Sequence, residues 1–435
     1  MRKLLILLIG LPLFAGVNPG GFIEYYARYW ANKDSARWTL NRLTFKLNME
    51  GDLNEHLHLK VECYLTSNGF PQVNELGDLT ARTDVSPVSY RLGEAYADIY
   101  GFLLPNLDLR IGKQEINWGT ADKINPTSNL NPYDMDDFLN FGDKLPVNAL
   151  RAFYSTSSVN LELAFVPLFT PSYLPSNEFT TTFFNQISLP QNIPINSMDY
   201  YLVKPAPKIK ESSSFAIKAS GTVFDWDVSC SYYHGRLTFP VPDSLIMIPD
   251  SLKYDVNAFL GFPKIDVIGA DFSGSLAGIG LWGEFAYFIP EKTILETKLN
   301  SMTVSEDTVL ENPYLKFVLG SDYTFSNGIY VNLQFIHGFI NENGDSLNDY
   351  ITFRVEKKFL NDRLKIAPMG IAAEIPDWSD IKSNYGYILN PEVTYSPFDN
   401  VEFKVGGIVI DGKGTNAFAR LKEVDETYLK LKVSF

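Results

Sequence analysis

Apolar and polar residues alternate along most of this chain. From Leu57 to Thr66, one face carries Leu57, Leu59, Val61, Cys63 and Leu65, and the other carries His58, Lys60, Glu62, Tyr64 and Thr66. A repeat of two residues is that of an extended strand with one greasy and one polar side. The same arrangement sets Leu43, Phe45, Leu47 and Met49 against Arg42, Thr44, Lys46, Asn48 and Glu50, and sets Ile351, Phe353 and Val355 against Arg354, Glu356 and Lys358. The chain closes on Leu429, Leu431, Val433 and Phe435 against Tyr428, Lys430, Lys432 and Ser434.

The pattern predicts strands over 21–30, 38–50, 57–66, 90–101, 107–114, 148–156, 159–167, 213–222, 226–235, 263–275, 279–289, 313–325, 329–339, 349–358, 364–374, 385–396, 401–410 and 427–435. Alternation alone suits a soluble sheet equally well, and the connections decide the matter. Tight turns such as Gly51-Asp52-Leu53-Asn54, Phe224-Asp225, Ser326-Asn327-Gly328, Asn361-Asp362 and Pro397-Phe398-Asp399-Asn400 alternate with long excursions at 67–89, 115–147, 168–212, 236–262 and 290–312. Gly274-Ser275-Leu276-Ala277-Gly278-Ile279-Gly280 reads as a further hairpin turn. Short turns at one end and long loops at the other predict an all-β, transmembrane, antiparallel up-and-down barrel of about 18 strands, with both termini on the short-turn, periplasmic side.

In this register Lys60, Glu62, Glu94, Asp98, Arg110, Arg354, Glu356, Lys404 and Lys430 point inward. Unpaired buried charges cost several kcal/mol each, so the expected interior is wet, and a barrel of this size leaves room for an aqueous channel. The charges have two readings: they pair across neighbouring strands and brace the wall, or they set up a transverse field that orients a polar solute.

Export fits the N-terminus. Arg2 and Lys3 precede an apolar run from Leu4 to Phe14, too short for a stable membrane span, which reads as a signal peptide over 1–16 followed by a single barrel over 17–435. The first strand follows directly, with no room for a plug domain. Two cysteines exclude a disulfide framework, and 51 acidic against 37 basic residues, a net charge of -14, argue against nucleic acid. His56, His58, His234 and His337 are scattered, and neither a Cys-x-x-Cys-His, a Gly-x-Ser-x-Gly nor a phosphate-binding Gly-rich loop occurs. No metal, cofactor or enzymatic chemistry is expected.

The most distinctive stretch runs Arg110-Ile111-Gly112-Lys113-Gln114-Glu115-Ile116-Asn117-Trp118-Gly119, then Asp122-Lys123, Asn125-Pro126 and Asn131-Pro132-Tyr133-Asp134. It resembles a broad family of porin-like bacterial outer-membrane barrels that share a Gly-Lys/Arg-Gln, Trp-Gly and Asn-Pro run after an early strand; barrels of the alginate-export type carry a related Gly-Arg-Gln element. The resemblance covers roughly 107–170, through Val166-Pro167-Leu168-Phe169-Thr170-Pro171. It implies that the 115–147 loop folds into the lumen, with Arg110, Lys113, Gln114, Asn117, Trp118, Asp122 and Lys123 at a constriction. The alternative is that Trp118 and the Asn-Pro turns only brace the loop against the wall. The terminal strand, with Tyr428 and Phe435, resembles the signal read by the barrel-assembly machinery.

The expected function is therefore an outer-membrane channel for small polar or amphipathic solutes, with lipid and lipopolysaccharide around it and self-association left open. A plugged barrel serving as adhesin or surface structure, or a transporter of hydrophobic solutes, is the alternative. Apolar runs in the long loops, Leu245-Ile246-Met247-Ile248 and Phe259-Leu260-Gly261-Phe262, favour loops that pack on one another or a greasy mouth. Loop acids Glu291, Glu296, Glu306, Asp307 and Glu311 favour cations at the pore.

Overall fold

A computed structural model describes residues 16–31, 36–137, 140, 142–175, 194–250 and 252–435, so the expected signal peptide lies outside the described residues but for Gly16. The chain forms strands β1 (Val17–Trp30), β2 (Arg37–Asn54), β3 (Leu57–Asn68), β4 (Val88–Ile99), β5 (Leu107–Gln114), β6 (Val147–Ser155), β7 (Asn160–Val166) and β8 (Ile195–Val203). It continues with β9 (Ser214–Val223), β10 (Trp226–Arg236), β11 (Val241–Asp250), β12 (Lys253–Gly261), β13 (Lys264–Leu276), β14 (Ile279–Pro290), β15 (Thr293–Leu299) and β16 (Met302–Leu310). The last are β17 (Tyr314–Thr324), β18 (Ile329–His337), β19 (Asp349–Phe359), β20 (Leu364–Ile375), β21 (Tyr385–Leu389), β22 (Glu392–Phe398), β23 (Val401–Lys413) and β24 (Glu426–Ser434).

Nineteen of these segments make one sheet, and β24 pairs antiparallel with β1 from Phe22↔Ser434 to Trp30↔Glu426, so the sheet closes on itself. β21 and β22 both lie between β20 and β23 and are two halves of one strand, which gives a closed antiparallel barrel of 18 strands. The break falls at Asn390-Pro391, where proline has no N–H to give the ladder. The eighteen expected segments coincide with the barrel strands. One turn differs: β2 runs on through Asn54, so the chain reverses at Glu55-His56 and not at Gly51–Asn54. Phe224 (φ 50°) and Asp225 (φ 64°), like Ala277 (φ 52°) and Gly278 (φ 82°), take left-handed backbone as two-residue hairpins of this twist require.

Leu43, Leu65, Ile111, Leu163, Ile268 and Leu333 are 46–53% exposed on the outer surface, an apolar belt. Tyr154, Tyr323, Phe325 and Phe435 edge it at the short-turn end, and Trp38, Tyr90, Phe215 and Tyr287 at the other. Such a belt between aromatic rims is the surface that lipid requires of a barrel.

The interior is divided along its axis. Towards the short turns the inward residues are charged, as expected. Towards the long loops they become apolar: Tyr26, Leu40, Val318, Ile336, Ile388, Ile408 and Ile410 pack with Ile124 and Met135 of the 115–147 loop and with Phe239, Phe339 and Phe418 of other connections. A second cluster joins Ile116, Trp118 and Leu130 to Ala149, Ala164, Ala216, Val267, Ala286 and Phe288, the alanines leaving room for the indole. The expectation of a wet interior thus needs correction for this half, because folded-in loops supply apolar partners where water was expected. Each large side chain so buried contributes about 1.5–3 kcal/mol.

Five strands lie in segments expected as loops. β16, β15, β11, β12 and β8, in that order, form a second sheet, with β11 parallel to β15 and β12 parallel to β8. Leu245, Met247, Val256, Ala258 and Leu295 form a buried apolar cluster on it. The apolar runs singled out in the loops are therefore strands that pair with one another.

Candidate functional site

The chain between Gln114 and Val147 leaves the end of β5 and turns back inside the barrel, because its partners stand on strands all round the wall. Glu284 on β14 is its main anchor. The carboxylate accepts from Thr120 N (3.1 Å), Ala121 N (3.2 Å), Asn125 Nδ2 (3.2 Å), Thr127 N (2.8 Å) and Thr127 Oγ1 (2.8 Å). Gly119 has φ +91°, and a Cβ there would lie 2.2 Å from Glu284 Oε2, so only glycine lets the loop close around this carboxylate. Further round, Asn332 Nδ2 on β18 donates to Asp122 Oδ2 (3.0 Å), and Trp118 Nε1 donates to Glu162 Oε1 on β7 (3.0 Å).

The loop's own polar groups hold its shape. Asn131 receives Ile116 N (2.7 Å) and donates to Gln114 O (3.1 Å) and Leu145 O (2.7 Å). Lys144 is buried, donates to Ser128 O and lies 4.7 Å from the centre of the Tyr133 ring. Burial pushes its ammonium down to about 8, although the carboxylates of Glu284 and Glu115 pull the other way. Burial also raises the carboxyls of Glu115 and Asp143.

The far limb of the loop meets the opposite wall through three aspartates and three arginines. Asp134 pairs with Arg91 on β4 (2.7 Å), Asp136 with Arg42 on β2, and Asp137 with Arg28 on β1 (3.2 Å). Arg28 also reaches Glu426 on β24 at 3.4 Å. Beside these pairs lies a cavity of about 630 Å³, with Arg42, Arg91, Lys430 and the single carboxylate Glu24 on the wall side and Asp134, Asp136, Asp137 and Asp143 on the loop side. Lys430 rests 4.0 Å from the centre of the Tyr26 ring, and Arg91 4.6 Å from that of Tyr64. A second cavity, of about 570 Å³, lies where Asp122 and Lys123 face β18 to β21.

The structure distributes the expected site residues over several places. Asp122 and Lys123 are exposed on the second cavity, and Asn117 is exposed and donates to Glu115 Oε1 (2.9 Å). Gln114 and Trp118 are buried, with Gln114 donating to Ala149 O (3.0 Å), so both brace the loop. Lys113 shares the outward face of β5 with Ile111, opposite to Arg110 and Gln114, and donates to Leu92 O at 2.8 Å. It does not join the others, because its odd position in the strand turns it from the interior. Arg110 is on the inward wall in a two-pronged bond to Asp98, at 2.6 and 2.9 Å.

The remaining lumen charges pair across strands, Lys60 with Glu94 (2.7 Å), Glu62 with Lys46 (2.9 Å) and Arg354 with Glu392 (3.4 Å), and along one strand, Arg354 with Glu356 (2.9 Å). At the barrel seam Tyr428 packs edge-on against Tyr26, and Phe435 stacks on Phe45. Sequence reading missed Arg28, Arg42, Arg91, Asp136, Asp137 and the anchor Glu284. The signal for the aspartates was the acidic run 134–137 directly after the Asn-Pro turn. Among the described residues no group of three or more His, Cys, Asp or Glu could hold a metal ion, and no helix is long and apolar enough to cross a membrane.

The chain is similar to solved structures. OccAB4 of Acinetobacter baumannii superposes with a TM-score of 0.52 at 9% identity, over 97% of this chain and 98% of that one, which shows the barrel fold. OmpF of Salmonella typhi in complex with daunomycin gives 0.42 at 9% identity, over 96% of this chain and 97% of that one. OmpT, an outer membrane protein of Vibrio cholerae, gives 0.43 at 7% identity with the same coverage of 96% and 97%. No curated protein matches the chain. A family model described as protein of unknown function (DUF1302) matches residues 58–344.

Proposed function

The chain belongs to the family described as protein of unknown function (DUF1302), and from that premise we propose that it is an outer-membrane channel through which small polar or amphipathic solutes diffuse. The short turns and both termini face the periplasm, and the second sheet stands outside the cell over the barrel mouth. Solutes pass beside the 115–147 loop, which narrows the route.

The observation that carries this reading is the 630 Å³ cavity bounded by Arg42, Arg91 and Lys430 on the wall and by aspartates on the loop. Charged groups held this way cost free energy to build unless water and solute meet them, and cations facing carboxylates across a passage align a solute with separated charges. Asp122 and Lys123 face the route at the second cavity, whereas Gln114 and Trp118 hold the loop in place. No step calls for a cofactor.

Planar-bilayer conductance of the refolded mature chain, beside a variant lacking 117–134, tests the proposal. Discrete steps that grow in the variant are expected. A second reading, a barrel closed by its own loops and serving as a surface structure, draws on the apolar packing of Ile124, Met135, Phe339 and Phe418 in the loop-side interior. Absence of current from wild type, with current from the variant, would favour it.

A further inference from the structure

We propose that the cavity between the inward loop and strands β18 to β21 binds a neutral polyhydroxylated solute, a sugar or polyol, on the way through the barrel; this rests on the channel reading. The cavity measures about 570 Å³. That lies within the roughly 300–1,000 Å³ typical of small-molecule sites. Its chemistry differs from that of the charged cavity beside Arg91. Tyr330, Asn332 and Gln334 stand on one face of β18, with Thr352 of β19 and Asn390 beside them. Ile124, Ile336, Ala372 and Ile388 supply an apolar lining.

The charged groups that reach this cavity are already engaged. Asp122 receives Asn332 at 3.0 Å and Gln334 at 3.5 Å, and Arg354 is held by Glu356 and Glu392. Lys123 donates to Asn140 and lies within the electrostatic reach of Asp143. An ion entering here loses hydration and meets Asp122, Lys123 and Arg354, charges of both signs whose fields oppose one another, so it gains little. A neutral polyol loses far less. Its hydroxyls both donate and accept, which matches carboxamides and hydroxyls, and its C–H faces suit the aliphatic side chains.

One atom points to an occupant. Thr352 Oγ1 is buried at the cavity wall and has no hydrogen-bond partner. An unpaired buried hydroxyl costs free energy, and rotation of the Thr352 side chain into the cavity to meet a solute hydroxyl would relieve it.

Sucrose is the test probe, applied to the refolded mature chain in planar bilayers, with glycine betaine as the zwitterionic comparison. Sucrose is expected to interrupt the ion current. Thr352→Val, nearly isosteric, should weaken this effect about tenfold, the loss of one hydrogen bond. Ala372→Phe, which fills the cavity, should abolish it, while Arg363→Ala, exposed at a short turn, leaves it unchanged. Heat-modifiable mobility on gels confirms that each variant has folded. Current that sucrose never interrupts, or interruptions that survive both cavity variants, overturn this proposal and leave the channel reading intact. Absence of current from wild type overturns the channel reading instead. Saturation-transfer NMR on the same protein then decides the site: transfer to sucrose that disappears in Ala372→Phe supports it, and no transfer to sucrose from wild type refutes it.

Discussion

Thr127 and Glu284 are 157 residues apart in the chain, yet the backbone N–H and the hydroxyl of Thr127 both donate to Glu284 Oε1 at 2.8 Å. That pair ties the inward loop to the far wall of the barrel. Glu284 is fully buried and its two oxygens serve five donors on the loop, so one side chain settles where the loop lies. Glu284→Ala strands those donors. Each buried donor left unpaired costs about 1–3 kcal/mol, enough in sum to unseat the loop. The expected outcome is larger and noisier current steps, and faster protease cleavage after Lys123. Glu284→Gln should show the same change in weaker form, since the amide accepts at one oxygen only. Steps of unchanged size and noise in both variants would show that the loop holds its place without this anchor.

The Arg–Asp pairs predict ion selectivity. Arg42 and Arg91 stand on the wall against Asp136 and Asp134 of the loop, and the chain as a whole carries a net charge of -14. Wild type is expected to prefer cations. Arg42→Ala combined with Arg91→Ala leaves the aspartates unopposed and should strengthen that preference, whereas Asp134→Asn with Asp136→Asn should weaken or reverse it. Reversal potentials under a salt gradient measure both. The differences should shrink as salt is raised from about 0.1 M to 1 M, because the screening length falls from about 10 Å to 3 Å. A reversal potential that ignores all four changes would mean that ions take another route.

The barrel was legible because one side of each strand meets lipid and the other meets charge. Lys60, Glu62 and Arg354 alternate with leucines and valines, and two-residue parity reads directly as inside or outside. At the loop end both faces are apolar. Ala286 and Phe288 point in while Phe285 and Tyr287 point out, and a run of this kind carries no parity signal. The second sheet was hidden for another reason. β11–β12 and β15–β16 are local hairpins, but β8 pairs with β12 and β11 with β15 in parallel across long separations, so no local turn announces how they join into a sheet. Of the candidate site, the loop was legible through its Trp-Gly and Asn-Pro turns, but its anchors were not. Glu284 sits in a strand as one more inward polar residue, and only the folded loop shows what it holds. Lys113 entered the candidate site with the resemblance carried by its Gly-Lys-Gln run, whereas strand parity turns it to the outer face.

Lys144 gives the loop a dependence on pH. Seated, its amine titrates at about 8; released into water it returns to the ordinary 10.5. The released loop thus binds more protons between those values, so raising the pH from about 8 towards 10 favours the seated loop, and below about 8 the full cost of the buried ammonium is present. The groups facing the amine are the Ser128 carbonyl, the Tyr133 ring and the carboxylates of Glu284 and Glu115. Glu115 and Asp143, whose carboxyls burial raises, favour the seated loop towards acid pH instead. Current fluctuations are expected to quieten as the pH rises from 8 to 10. Lys144→Met should be quiet throughout that range. Fluctuations in wild type that grow with pH over this window would contradict the assignment.

The seam makes the last prediction. β24 closes the ring on β1, and beyond it Phe435 exchanges both backbone bonds with Gly21, each at 3.0 Å, while its ring stacks on Phe45 of β2 at 6.0 Å. A Cβ at position 21 would lie 2.1 Å from Lys46 O, so the backbone passes here too closely for any side chain. Phe435→Ala keeps the backbone exchange and loses the ring; deletion of Phe435 loses both. Loss of ring burial costs about 1.5–3 kcal/mol at the place where closure is completed, and the deletion removes two hydrogen bonds of about 1 kcal/mol each besides. The deletion is therefore expected to lower the yield of heat-modifiable, protease-resistant barrel in refolding more than Phe435→Ala does. If recognition by an assembly machinery adds to this physical cost, the shortfall in cells will exceed that in detergent. Equal losses in the two settings would assign the role of Phe435 to the seam alone.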